Sequence, residues 1–159
     1  MSKQNQLRVT PERGAQHDVL DVFRGDWKAE GLSFASPDQN VQNPRGNSTQ
    51  WTSTHSTRWH TGQFFLIQNE RAQVNGSFDT LSVLGWDEDA DRYFASTFDN
   101  HGFYRHYDVT VEGNVWTISG KTERARIELS DAGKRQTINW EWQPKDTWLP
   151  LCDRIATKL

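Results

Sequence analysis

The sequence predicts an all-β fold: one antiparallel up-and-down β-barrel of about eight to ten strands, preceded by one short N-terminal helix. Three observations carry this reading. Apolar and polar residues alternate with a period of two along most of the chain after Gly25. Turn-forming residues interrupt the alternation at regular intervals, as at Asn75-Gly76, Asp99-Asn100-His101-Gly102, Glu112-Gly113 and Asp131-Ala132-Gly133. Eight tryptophans are spread among 159 residues, more indole than an ordinary core of this size needs. Indole is large and flat and carries one N–H donor, so it suits the wall of a concave site.

Residues 1–13 read as a flexible tail and 14–159 as a single barrel domain. Thr10 is placed to cap a helix, with Pro11 at its first position and Glu12 in its first turn. Val19, Leu20, Val22 and Phe23 form an apolar stripe at helical spacing, and Gly25 ends the helix. The period then changes to two, and Trp27, Ala29, Gly31 and Ser33 share one strand face. Residues 36–48 are rich in Pro, Asn, Gln and Gly. This loop is long for a hairpin and is expected as a mobile flap over one barrel end. Strands follow at 49–60, 63–73, 77–86, 92–98, 103–111, 114–121, 124–129, 134–143 and 148–157. Asn75-Gly76 is expected as a two-residue hairpin turn and Asp99 to Gly102 as a four-residue one. Successive short turns make a meander, which closes naturally into a barrel.

Composition narrows the function classes. Lys+Arg 18 against Asp+Glu 21 leaves a net charge of −3. A nucleic-acid or anionic-membrane binder would show a basic excess or stripe, so neither partner is expected. The chain start lacks the apolar core of a signal peptide, and no apolar run is long enough to span a bilayer; a cytoplasmic location is expected. Cys152 is the single cysteine, fits a reducing compartment and reads as a small strand residue. His55/His60 and His101/His106 are five apart, on opposite faces of a strand, and no HExxH or CxxC spacing occurs. No metal is expected. Glycine-rich phosphate loops and a G-x-S-x-G elbow are absent too.

Several short motifs carry a resemblance. Phe23-Arg24-Gly25-Asp26-Trp27 follows the helix, and Gly62-Gln63-Phe64-Phe65 opens a strand. Gly85-Trp86-Asp87 precedes Arg92-Tyr93, and Asp99-Asn100-His101-Gly102 forms the next turn. From Gln16 to the C-terminus the chain resembles a bacterial family of unknown function with a lipocalin-like (calycin-type) barrel. The Gly25-Asp26-Trp27 entry is also similar, more weakly, to nitrobindin-type haem barrels. Those continue with Gly-x-Gly and hold iron by a C-terminal histidine. Here Ala29-Glu30-Gly31 keeps one glycine and no His lies beyond His106, so no haem or other cofactor is expected.

Register arguments assign faces. Pairing Phe98 with Phe103 and Val109 with Trp116 puts Phe94, Ser96, Phe98, Phe103, Arg105, Tyr107, Val109, Trp116 and Ile118 inside. Trp27, Ala29, Trp51, His55, Trp59, Ile138, Trp140 and Trp142 also point inward. Phe65 and Ile67 are expected to pair with Trp86 and Leu84 on the outward face, which either a bulge or a second apolar surface packed on the helix or on another subunit would explain.

A small apolar or aromatic ligand bound in the barrel is the favoured function. Trp51, Trp59, Phe98, Trp116 and Trp140 would supply contact area, and His55, Arg105 and Tyr107 would orient the ligand. A guanidinium inside such a barrel needs an anion, either on the ligand or on a protein acid such as Glu141. The alternative is an enzyme acting on a small carbonyl compound, with His55 as base and Arg105 and Tyr107 stabilising an oxyanion. A third possibility is a barrel filled by its own side chains, dimerising through Phe65, Ile67, Leu84 and Trp86.

Overall fold

The computed structural model describes residues 9–159, so residues 1–8 of the tail expected over 1–13 lie outside the described residues. The helix begins later than Thr10 suggests. α1 spans Ala15–Asp18 and continues as a 3₁₀ turn over Val19–Phe23. Gly14 is its cap, and the Gly14 N–H donates to Nδ1 of His17 at 3.0 Å, a bond Thr10 is too far upstream to provide. Leu20 and Phe23 are buried, whereas Val19 and Val22 stay exposed because the tightened turn rotates them away from the sheet.

Ten strands follow: β1 (Gly25–Ser33), β2 (Thr49–Trp59), β3 (Phe65–Gln73), β4 (Ser77–Asp87), β5 (Arg92–Asp99), β6 (Tyr104–Glu112), β7 (Val115–Ser119), β8 (Glu123–Ser130), β9 (Arg135–Trp142) and β10 (Leu149–Lys158). Each pairs antiparallel with the next, and β1 pairs with β10 to close the barrel. An even number of alternating strands makes the first and last run in opposite directions, so the seam is an ordinary antiparallel ladder without exposed edges. β10 carries one bulge between Pro150 and Cys152, which turns both Leu151 and Cys152 toward the interior.

Three registers differ from expectation; in one, Val109 pairs with Ile118 and Val111 with Trp116, a two-residue shift that leaves the inward faces unchanged. Phe98 pairs with Tyr104 rather than Phe103, and Thr97 with Arg105. The Asp99 carboxylate accepts the N–H of His101 at 2.9 Å and of Phe103 at 3.1 Å, which draws Phe103 into the turn. One residue of slip inverts the face of a strand. Tyr93, Ala95, Thr97 and Asp99 therefore point inward from β5, while Phe94 and Phe98 lie outside. On β3, Phe65 pairs with Gly85 and Leu66 with Leu84. Phe65 is on the outer face, but Leu84 lines the interior and Trp86 packs on the core. The four residues proposed as a dimer stripe thus sit on opposite sides of the sheet. Asn75-Gly76 forms part of a three-residue loop, since Gln73 pairs with Ser77; both Asn75 and Gly76 take positive φ.

The helical segment closes one end of the barrel. Trp27 Nε1 donates to the Phe23 carbonyl at 3.1 Å, Trp59 Nε1 to Asp21 at 2.8 Å, and the Tyr93 hydroxyl to the Gln16 carbonyl at 2.7 Å. Phe23 and Tyr93 both meet Trp116 edge-on, at 4.9 and 5.4 Å between ring centroids. Four of the eight indoles, Trp27, Trp59, Trp86 and Trp116, are spent on this plug and the core beside it. Among the described residues no helix is long and apolar enough to cross a membrane.

Candidate functional site

Beyond the plug the barrel encloses a cavity of about 540 Å³, reached from the opposite end. Its walls are largely apolar. Phe23, Phe78, Leu84, Ile118, Ile127, Ile138, Trp51, Trp140 and Trp142 all face it. Those side chains alternate with outward polar ones along each strand, which is why the sheet presents them together. The β1–β2 loop leaves the rim of the cavity at Ala35 and is fastened to the ends of β9 and β10, with Arg45 against Asp153 on the outer wall. Gln39 donates to the carbonyls of Pro44 (2.9 Å) and Pro150 (2.6 Å) and accepts from Trp142 Nε1 at 2.9 Å. Phe34, at its start, is buried, and Arg45 lies over the Phe34 ring.

Charged groups gather on two walls. On the first, Arg105 Nη1 meets Asp99 at 3.2 Å, and Arg105 Nε meets Glu123 at 3.2 Å. Its guanidinium lies 4.6 Å from the Phe103 ring centroid. The Tyr107 hydroxyl donates to the other Glu123 oxygen at 2.9 Å. Burial and the adjacent Glu123 carboxylate push the Tyr107 phenol well above its usual range. The expectation that Arg105 needs an anion is met by two protein carboxylates, with Glu141 instead bonded to Arg124 at 2.9 Å.

On the second wall, Arg154 of β10 pairs with Glu70 of β3 at 2.7 Å, and both side chains are about nine-tenths buried. The Arg154 guanidinium lies over the Trp51 indole at 4.4 Å. Gly31 sits between Arg154 and Trp51 in the strand register, so no side chain separates them. A Cβ at Gly31 would come within 1.9 Å of the Asp153 carbonyl oxygen. His55 pairs with Glu70 across β2–β3 and stacks on Trp27 at 5.9 Å. Burial drives the His55 imidazole down to about 4, with Glu70 opposing the shift and Arg154 adding to it. The Cys152 thiol is pushed up by burial, so it stays protonated beside Arg154.

Trp51, His55, Arg105, Tyr107 and Trp140 all line the cavity, as the sequence suggested. Trp59 and Trp116 do not; they belong to the helical plug. Phe98 is 45% exposed on the outer surface, stacked on Tyr104 at 5.1 Å. Arg154, Glu70, Asp99 and Glu123 were missed because a charged residue in a strand reads as solvent-facing. A signal was present: Arg154 has the parity of Cys152 and Ala156, and Glu70 that of Leu66 and Ala72. Among the described residues no group of three His, Cys, Asp or Glu side chains could hold a metal ion.

A family profile described as "Protein of unknown function (DUF1579)" matches residues 12–148. The chain belongs to the DUF1579 family. Its barrel is similar to the crystal structure of Rv2717c from M. tuberculosis, with a TM-score of 0.67 at 9% identity, covering 93% of this chain and 99% of that one. Zebrafish ileal bile acid-binding protein complexed with cholic acid gives a TM-score of 0.53 at 12% identity, covering 87% and 99%. Both likenesses place this DUF1579 chain among lipocalin-like antiparallel barrels. In sequence it is 28% identical over 123 residues to lysine-specific histone demethylase 1 homolog 3 of Oryza sativa, subspecies indica and japonica. That match covers 77% of this chain and only 13% of the rice proteins.

Proposed function

We propose that this protein binds a small, largely apolar or aromatic molecule inside the barrel. The observation that carries the reading is the cavity of about 540 Å³, with apolar walls and a few convergent polar groups. Its size falls within the range of about 300–1,000 Å³ usual for small-molecule sites. A barrel meant only as a scaffold would fill this space with side chains, as the plug end does. The similar fold of a protein crystallised with cholic acid supports the same reading.

Acid–base catalysis is less well supported. β2, carrying His55, and β6, carrying Arg105 and Tyr107, lie nearly opposite each other around the barrel. An imidazole near 4 is a weak base at neutral pH, and a phenol raised by burial is a weak acid. Arg105 is already neutralised by Asp99 and Glu123, which leaves little positive field for an oxyanion.

The test uses the neutral fluorophore N-phenyl-1-naphthylamine. Wild type should bind it with an emission increase and a dissociation constant in the micromolar range. Ser82, small and buried on the cavity wall, gives the control: Ser82→Trp fills the void and should weaken binding at least tenfold while the protein stays folded. Equal binding by wild type and the filled variant would place the probe elsewhere and remove the proposal.

A further inference from the structure

The outer wall of the barrel is divided. Across β7–β10 it is charged: Arg124 pairs with Glu141, Arg126 with Glu128, and Asp153 with Arg45 of the β1–β2 loop. Across β3–β6 it is apolar. Strand register sets Phe65 beside Phe94 across Gly85, Ile67 beside Val83, and Leu81 beside Phe98 and Tyr104. Exposure of the outermost four runs from 40% at Phe65 and Leu81 to 62% at Tyr104. Taking about 200 Å² for each large side chain, the array leaves roughly 400–500 Å² of apolar surface in water. A stable interface takes about 800 Å² from each partner, of which about 56–65% is non-polar. The array therefore supplies the apolar share of one such interface.

Its rings are braced in advance. Phe94 stacks on His106 at 5.8 Å, and Phe98 on Tyr104 at 5.1 Å. Phe65 and Phe94 close over Gly85, where a Cβ would come within 2.3 Å of the Phe65 ring. Few rotamers are left to freeze when a partner docks.

Shape and charge select that partner. A closed barrel offers no strand edge, so the partner must come face-on. The array itself is uncharged, and Asp108 at its border is held by Arg92 at 3.0 Å. Two opposite rims each carry an acid beside a base, Asp87 with Arg92 and Asp79 with Arg71. A second copy brings the same neutral centre and the same mixed rim, so acids can meet bases across a twofold axis. An anionic lipid surface would call for a basic excess, and this rim has none.

We propose that the β3–β6 face is a homodimer contact, with a second copy of this chain seated on it. Of the four residues expected as a dimer stripe, Phe65 and Ile67 belong to this face, whereas Leu84 and Trp86 point the other way. The dimer does not depend on the cavity reading.

Sedimentation velocity of the wild type at micromolar concentration should give twice the 18.4 kDa mass of one chain. Ser96 stands mid-array, between Val83 and His106. Ser96→Lys puts a charge there without removing an apolar side chain, and should weaken the dimer at least a hundredfold, since like charges would meet at a desolvated centre. Gln50→Lys, on the outer face of β2, should leave the dimer unchanged. Hydroxyl-radical labelling of wild-type Phe98 and Tyr104 should fall severalfold as the protein is concentrated through its dimerisation range, which decides even if the Ser96 variant does not fold. A wild type that stays monomeric, a dimer that survives Ser96→Lys or is lost equally in Gln50→Lys, or labelling that ignores concentration would overturn the proposal. A monomer that floats with phosphatidylcholine vesicles would overturn it too, and would give the face to a lipid surface.

Discussion

At the residue scale, each interior guanidinium meets at least one protein carboxylate, and His55 is the group whose protonation the fold most resists. Its folded pKa is about 4 against an ordinary 6.5, so the unfolded chain takes up a proton first as pH falls. Above pH 6.5 both states are neutral and nothing is lost. Stability then declines through the window from 6.5 to 4 and levels off below it. The full shift is worth roughly 3 kcal/mol if the imidazole reaches its unperturbed value on unfolding. Glu70 opposes this trend and Arg154 strengthens it. Urea unfolding of wild type at pH 7.5 and pH 5 should therefore differ by about 1–2 kcal/mol, and His55→Gln should remove most of that difference. A variant with the same pH slope as wild type would show that other groups dominate.

At the element scale, the β1–β2 loop contradicts the expectation of a loose flap. Its composition is that of a mobile loop, but Gln39 satisfies three polar groups at once and fastens it to Trp142 and Pro150. Because Trp142 also lines the cavity, this one side chain couples the loop to the rim of the site. Gln39→Ala should speed both association and dissociation of a cavity ligand severalfold with little change in equilibrium affinity. It should also expose the bond after Arg45, so trypsin should cut there several times faster than in wild type. Global stability should fall by no more than about 1–2 kcal/mol, the value of a few partly exposed hydrogen bonds. Unchanged proteolysis would mean that Phe34 and Arg45 hold the loop on their own.

At the scale of the whole molecule, the tryptophans divide into two jobs. Trp116 is wedged between Phe23 and Tyr93 in the plug, whereas Trp140 borders the cavity. Trp116→Ala should cost about 3–5 kcal/mol, because it empties a packed site whose neighbours cannot all collapse. Trp140→Ala should cost less, roughly 1–2 kcal/mol, since one side of the ring already faces open space. It should reduce N-phenyl-1-naphthylamine affinity severalfold. Chemical denaturation and probe titration of both variants check this, and equal stability losses would argue for a filled interior.

Much of the fold was legible because period-two alternation and turn residues are local signals. The ten strands, the single short helix and the inward faces of β1, β2, β6 and β9 could all be read that way. The site was legible only in part. Trp51, His55, Arg105, Tyr107 and Trp140 share their strand's apolar parity and were found; Trp59 and Trp116 share it too, but their depth along the barrel decides between plug and cavity. Phe98 was misplaced by a one-residue change in a turn, which follows from where the Asp99 carboxylate finds its hydrogen bonds.

The sequence alone determined the class of the molecule, an antiparallel meander rich in inward aromatics, since side-chain alternation is a property of each strand by itself. Only the tertiary structure decided which residues meet across the barrel. Arg154 and Glu70 are 84 positions apart in the chain and become partners because closure brings β10 and β3 to the same stretch of wall. No local pattern encodes that meeting; it follows from strand number, register and a single bulge, which are fixed when the sheet closes on itself.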